Sequence, residues 1–197
     1  EGRTIYENMK KFVFFIFSSN IGELVAIFAG ILIGLPAPLT AVFMLIINTL
    51  TDVFPALALG VEPVEKTILE KAPRRHDAKI MEGPFIRRYF ASGIWIGLVT
   101  VGVFLGDLLV KGWHFGDSLP NESILYMHAA TMAFVVLTLL QMVHTLNSRS
   151  ESISVFRMNL FSNPHLLLAI FFSVSALQPL YLYLCMRCGL SQKKWKY

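Results

Sequence analysis

Charged residues are scarce in this chain. Of its 197 residues, only 15% are Asp, Glu, Lys or Arg, whereas 55% are hydrophobic and the mean hydropathy is +0.59. Soluble domains carry roughly 25% charged residues, so the composition excludes an ordinary water-soluble globule. It also excludes intrinsic disorder, because 16 phenylalanines and long apolar runs provide ample surface to bury.

Cysteines and nucleotide-binding patterns are also scarce. The two cysteines, Cys185 and Cys188, are too few for a disulfide framework, and no GxxxxGK phosphate loop occurs. The net charge of +4 would suit a nucleic-acid partner, but the basic residues lie at the ends of apolar runs, where membrane topology places them. We therefore predict a lipid bilayer as the surroundings and no nucleic-acid partner.

Five apolar runs are long enough to cross a bilayer, which takes about 20 helical residues. They cover residues 12–33, 38–59, 90–110, 124–146 and 165–186. Backbone polar groups in lipid must pair within their own segment, so the runs are expected to be helices. The sequence predicts an all-α fold, a polytopic helical membrane bundle over residues 1–186, followed by a basic and atypical tail at 187–197.

The basic residues predict the topology. If the chain starts on the cytoplasmic side, twelve of the 17 Lys and Arg residues lie inside, and Lys111 alone lies in an outside loop before the tail. The tail departs from this rule, because five spans place its basic residues outside. The chain begins at Glu1 without Met or a signal-peptide pattern, and we expect it to be the middle of a longer protein.

Two acidic residues lie deep inside predicted spans. Glu23 is 11 residues after Phe12, roughly 16 Å along a helix, and Asp52 is eight residues before Gly60, roughly 12 Å. Both positions are near the middle of a hydrocarbon core about 30 Å thick. Ionisable residues at that depth are costly and point to function.

Polar neighbours surround these two acids. Asn20 is spaced i, i+3 with Glu23, and Asn48 and Thr51 share one helix face with Asp52. The short turn at 34–37 makes the first two spans an antiparallel hairpin, so the two faces are expected to meet. Carboxylate, amide and hydroxyl oxygens without thiolate suit hard cations such as Ca²⁺, and to a lesser degree Mg²⁺ or Na⁺.

Two further residues bear on this cluster. Gln141 in the fourth span offers an uncharged oxygen, and Pro55 removes a backbone donor and frees the carbonyl of Thr51 as a further possible ligand. The alternative interpretation is a structural proline kink with polar side chains hydrogen-bonded between helices.

Glycines recur along the third run with GxxxG spacing, at Gly93 and Gly97 and again at Gly102 and Gly106. Small residues at this spacing let helix backbones approach closely, so we interpret both pairs as helix-packing positions.

Several segments resemble a known family. The opening EGRTIYENMKKF, the stretch SSNIGE at 18–23, the turn GLPAPL and the stretch INTLTDVFPALALG at 47–60 are similar to the C-terminal membrane region of type II P-type ATPases, the calcium pumps most closely. KAPRR at 71–75 and LNSRSES at 146–152 fit the same pattern. The resemblance extends to about Leu184 and implies the fifth to ninth membrane helices of that family.

The resemblance implies a set of cation ligands. They are Asn20, Glu23, Asn48, Thr51 and Asp52. Asn48 favours calcium over sodium and potassium. Gln141 aligns with a position that is acidic in sarcoplasmic-reticulum pumps and Gln in plasma-membrane pumps, whereas Glu23 favours two ions, so one or two ions per cycle remain open.

The implied function is the ion-binding and translocating membrane portion of an ATP-driven cation pump, for Ca²⁺ export or sequestration with H⁺ counter-transport. ATP and Mg²⁺ act through phosphorylation, nucleotide-binding and actuator domains that this chain lacks, and these domains with the earlier membrane helices are the implied partners. The alternatives are a sodium/potassium-type or proton-type pump fragment and a non-catalytic membrane assembly module.

Overall fold

The computed structural model describes residues 2–63, 83–150 and 160–177, and these residues form helices and turns. The elements in chain order are α1 (Gly2–Leu32), α2 (Ala41–Ile46), a π-helical turn (Ile47–Thr51), α3 (Val53–Gly60), α4 (Gly83–Val110), α5 (Ile124–Asn147), a 3-10 turn (Leu160–Ser162) and α6 (Pro164–Leu177).

Four of these units are long and apolar enough to cross a membrane: α1, the broken helix Ala41–Gly60, α4 and α5. Helix α6 is a shorter apolar helix in its described part. The prediction of an all-helical membrane bundle is confirmed. The remainder of the fifth predicted span, most of the loop between α3 and α4, and the predicted basic tail at 187–197 lie outside the described residues.

Helix α1 begins well before its apolar run. It is continuous from Gly2 to Leu32, so its 31 residues extend roughly 46 Å at 1.5 Å per residue. A hydrocarbon core is about 30 Å thick, so the polar first turns project beyond it. Asn8 in this projecting part is buried, and its Nδ2 donates to the carbonyls of Gly60 (3.2 Å) and Glu62 (2.8 Å) at the end of α3.

A glycine turn reverses the chain after α1. Gly34 has φ +83°, a left-handed conformation that favours glycine, and the N–H of Leu35 bonds back to the carbonyl of Gly30 at 3.0 Å. Tyr126 of α5 donates its hydroxyl to the carbonyl of Ala37 at 2.9 Å. The turn therefore sets α2 antiparallel to α1 and fixes it against α5.

Helices α1 and α4 pack through glycine. A Cβ atom on Gly97 would lie 2.6 Å from the carbonyl oxygen of Gly22, and one on Gly93 would lie 2.7 Å from that of Ser18. This first GxxxG pair is therefore a close-packing site, as predicted. Gly102 and Gly106 have open space where a Cβ would be, so the second pair makes no such contact among the described residues.

A buried ion pair joins the ends of α3 and α5. Arg149 donates from Nε and Nη2 to Glu62 Oε1, at 2.8 Å and 2.6 Å. Asn163 donates to Glu62 Oε2 at 2.6 Å, and its own Oδ1 accepts the N–H of Leu166 in the first turn of α6. One carboxylate thus ties the ends of three helices together.

Large apolar side chains cover much of the outer surface. Phe28, Trp95, Val143 and Phe171 are all exposed, each from a different long or apolar helix. Contiguous exposed apolar surface is rare on soluble monomers, and it is what a lipid-facing bundle requires.

Candidate cation site

Glu23 is the centre of the candidate site. Its side chain is only 1% exposed. Its Oε2 accepts a hydrogen bond from Asn48 Nδ2 at 2.7 Å, and its Oε1 accepts one from Gln141 Nε2 at 3.1 Å. Residues from α1, the π-helical turn and α5 therefore converge on one carboxyl group, and the predicted meeting of the first two spans is observed.

The helix that carries Asn48 is interrupted beside it. Pro55 has no N–H to offer the carbonyl of Thr51, and the chain winds a wider turn there. The N–H of Asp52 bonds to the carbonyl of Ile47, five residues back, at 3.0 Å. Thr51 Oγ1 donates to the same carbonyl at 2.8 Å. The proline predicted from the sequence to break the helix thus coincides with a π-helical turn and a restart at Val53.

Two buried oxygen atoms at the site have no hydrogen-bond partner within the described part of the chain. They are Asp52 Oδ1 and Gln141 Oε1. Asp52 is 5% exposed. An unpaired buried acceptor costs about 1–3 kcal/mol, so a cation that accepted these oxygens as ligands would be stabilised there.

The chemistry of the site is oxygen-only. Among residues 2–63, 83–150 and 160–177, no group of three or more His, Cys, Asp and Glu side chains is placed to hold a metal ion. The available donors are two carboxylates, amide oxygens and a hydroxyl. Such a set fits a hard cation better than a transition metal.

Asn20 is not brought to the other predicted ligands. Its side chain is exposed, and its Nδ2 donates to the carbonyl of Ile16 on its own helix at 2.9 Å. Three residues along a helix leave a rotation of about 60° between side chains, and that rotation separates buried Glu23 from exposed Asn20. Thr51 is fully buried and precedes Asp52 in the chain.

Two polar contacts between helices were not predicted from the sequence. Ser18 Oγ and His144 Nε2 share a hydrogen bond of 2.6 Å, with the imidazole packed against Phe14. His144 is three residues beyond Gln141 on α5, and this i, i+3 spacing indicates that the two polar side chains lie on neighbouring parts of the helix surface. Ser173 Oγ donates to the carbonyl of Thr51 at 3.2 Å, a contact across 122 residues that no local pattern indicates.

Residues 36–188 match the family model described as cation transporting ATPase, C-terminus. The chain belongs to this family. The matched range includes Asn48, Thr51, Asp52 and Gln141, and the family predicted from the sequence is confirmed. Three of the four long apolar helices, Ala41–Gly60, α4 and α5, lie within the matched range, and α1 precedes it.

Three relatives of this cation-transporting ATPase domain carry calcium in their names. Calcium-transporting ATPase 1 of Bacillus cereus is 36% identical over 183 residues, which cover 88% of this chain and 20% of the relative. A probable calcium-transporting ATPase of Trypanosoma brucei brucei is 38% identical over 187 residues, covering 89% and 18%. Calcium-transporting ATPase 4, endoplasmic reticulum-type, of Arabidopsis thaliana is 34% identical over 212 residues, covering 86% and 20%. The chain spans about a fifth of each relative's length.

Proposed function

We propose that this chain is the ion-binding and translocating membrane portion of an ATP-driven Ca²⁺ pump. The observation that carries the proposal is the buried carboxyl group of Glu23, held between the amides of Asn48 and Gln141, with the buried carboxyl group of Asp52 on the same broken helix as Asn48. The remaining domains are proposed to lie elsewhere in the same polypeptide, which is called the full-length pump below.

Calcium is the proposed cargo because of the donor atoms. Ca²⁺ takes six to eight oxygen ligands from carboxylates, amide carbonyls and water in flexible geometry. The proposed ligands are Glu23, Asn48, Thr51, Asp52 and Gln141. Asn20, which is exposed and bonded to its own helix in this structure, would join them only after a rotation of α1. The names of the three relatives support the same ion.

The two amide side chains, Asn48 and Gln141, can act either as hydrogen-bond donors to Glu23 or as oxygen ligands of a cation. Their NH₂ groups face Glu23 and stabilise its buried carboxyl group. An amide presents two donors on one side and an oxygen acceptor on the other, so a half-turn of either amide offers an oxygen to a cation. In the proposed cycle, Ca²⁺ binding replaces the two N–H donors around Glu23 with metal–oxygen contacts.

Transport requires the ligands to move relative to one another. ATP and Mg²⁺ act through the phosphorylation, nucleotide-binding and actuator domains, whose movement is proposed to pull on α1 through its projecting segment at residues 3–11. That movement shifts Glu23 against Asn48 and Asp52 and releases the ion on the other side. Because a buried carboxylate without a cation is costly, protons are proposed to return on the carboxyl groups.

The test is cation-dependent ATP hydrolysis by the full-length pump. Glu23→Gln and Asp52→Asn are each expected to lower the apparent Ca²⁺ affinity on the order of ten- to hundredfold, because each removes a charged ligand. Asp107→Asn is the matched control, since Asp107 lies near the far end of α4 and pairs with Lys111.

Ca²⁺, Na⁺, K⁺ and Mn²⁺ are compared in the same assay. Activation by Na⁺ or K⁺ instead of Ca²⁺ would contradict the proposed ion. Unchanged Ca²⁺ dependence of ATP hydrolysis in both carboxyl variants would instead favour a membrane module with no direct role in ion binding.

A further inference from the structure

The carbonyl of Thr51 lies at the break in the ion-site helix and lacks its regular helical donor. That donor would be the N–H of residue 55, and proline has none. Buried backbone carbonyls are almost always paired in native proteins. Here the pairing comes from another helix, because Ser173 of α6 donates its hydroxyl at 3.2 Å, and both residues are fully buried.

Ser173 differs from two other buried hydroxyl residues of the bundle, Thr100 and Thr138. Thr100 and Thr138 are equally buried, but each donates to a carbonyl one turn back on its own helix, at 2.9 Å and 3.0 Å. Those bonds satisfy the hydroxyl group but stay within one helix. The Ser173 bond instead joins two helices, and it does so at the residue immediately before Asp52.

The peptide group between Thr51 and Asp52 is held from both sides. Its C=O accepts from Ser173, and its N–H donates to the carbonyl of Ile47 at 3.0 Å. Two hydrogen bonds fix the plane of this peptide group, and that plane, together with the φ and χ1 angles of Asp52, determines where its carboxyl group lies. That side chain carries the buried Oδ1 that lacks a partner in the described structure.

We propose that Ser173 is a positioning residue for the cation site. It touches no ion, and it holds the Thr51–Asp52 peptide group so that the Asp52 carboxyl group and the Thr51 hydroxyl keep the geometry of ligands. This inference rests on the proposed function. It assigns a role in ion binding to α6, a helix that contributes none of the proposed ligands.

The test measures ATP hydrolysis by the full-length pump as a function of free Ca²⁺. Ser173→Ala is expected to raise the half-saturating Ca²⁺ concentration roughly two- to tenfold, the change that corresponds to one neutral hydrogen bond, while turnover at saturating Ca²⁺ stays within about twofold. Ser173→Thr keeps the hydroxyl and is expected to restore the wild-type concentration. Thr100→Val is the matched control, because it removes an equally buried hydroxyl and is expected to leave the Ca²⁺ dependence unchanged.

The outcomes separate this inference from the proposed function. A Ca²⁺-dependent wild type whose half-saturating concentration is the same in Ser173→Ala overturns the positioning role alone. So does a loss of maximal turnover without a shift in Ca²⁺ dependence, which is the signature of a purely structural contact. A wild type without Ca²⁺ dependence overturns the proposed function, and this inference with it.

If Ser173→Ala does not fold, Ser173→Cys takes its place, because a thiol is a weak donor. Ser173→Cys is expected to shift the half-saturating Ca²⁺ concentration in the same direction but by less, and an unchanged concentration in this variant overturns the inference.

Discussion

Arg149→Met is expected to destabilise the bundle by about 3–5 kcal/mol, the typical cost of removing one partner of a buried ion pair. Arg149 is 2% exposed and Glu62 is 7% exposed. The substitution removes two donors from Glu62 Oε1, at 2.8 Å and 2.6 Å, while Asn163 still donates to Oε2. Methionine keeps an apolar stem of similar length, so the loss reports the charge left buried on Glu62 together with the bonds from Arg149 to the carbonyl of Leu160 (3.3 Å) and to Ser162 Oγ (2.6 Å).

The double variant Glu62→Met/Arg149→Met distinguishes the cost of leaving one charge buried without its partner from the cost of removing the whole ion pair. With both charges removed, no uncompensated charge is left buried, and apolar replacement of a whole pair is often close to neutral. The double variant is therefore expected to recover most of the stability that Arg149→Met loses. The bond from Asn8 is retained in both, because it reaches the backbone carbonyl of Glu62.

The measurement is the free energy of unfolding of the detergent-solubilised protein, followed by helical circular dichroism during denaturant titration. Lys111→Met is the control. Lys111 pairs with Asp107 at 2.9 Å, but it is 34% exposed, so its loss is expected to cost less than about 1 kcal/mol. The reasoning is refuted if Arg149→Met costs no more than Lys111→Met, or if the double variant is less stable than Arg149→Met.

Three further predictions concern packing, capping and the site. Gly97→Ala places a Cβ 2.6 Å from a backbone oxygen and is expected to cost about 1–3 kcal/mol of unfolding free energy, whereas Gly102→Ala meets open space and is expected to be near neutral; equal losses would contradict this. Asn163→Ala removes the N-terminal cap of α6 and a hydrogen-bond donor to Glu62. It is expected to lower the free energy of unfolding by about 1–2 kcal/mol in the same titration, and an unchanged free energy of unfolding would contradict this. Gln141→Leu removes the buried amide oxygen that is proposed as a Ca²⁺ ligand and is expected to raise the half-saturating Ca²⁺ concentration of the full-length pump about tenfold; an unchanged value would remove Gln141 from the proposed ligands.

The apolar runs located the helices but not all of their ends. The run that starts at Phe12 belongs to a helix that starts at Gly2, and the run that starts at Phe90 belongs to one that starts at Gly83. Hydropathy reports which residues suit lipid, whereas a helix continues through polar residues until a breaker or a turn residue stops it. Gly34 provides such a stop after α1.

Spacing along the chain predicted only part of the candidate site. The i, i+4 pattern placed Asn48 and Asp52 on a face toward the first helix, and the contact between Asn48 and Glu23 is observed. Spacing alone did not show that Asn20 would be exposed, because the depth of a side chain depends on which helix packs beside it. The contact of Ser173 with Thr51 joins distant segments, and only the assembled bundle creates it.

The unbroken length of α1 makes it a lever arm. Asn8 is tied to the end of α3, and Glu23 lies 15 residues further along the same rod, roughly 22 Å away. A tilt of about 5° with its fulcrum at Asn8 sweeps Glu23 sideways by roughly 2 Å, which is enough to part a carboxylate from a donor at hydrogen-bonding distance. In the proposed transport cycle, a small tilt of the projecting end would therefore be enough to change the hydrogen-bond partners of Glu23.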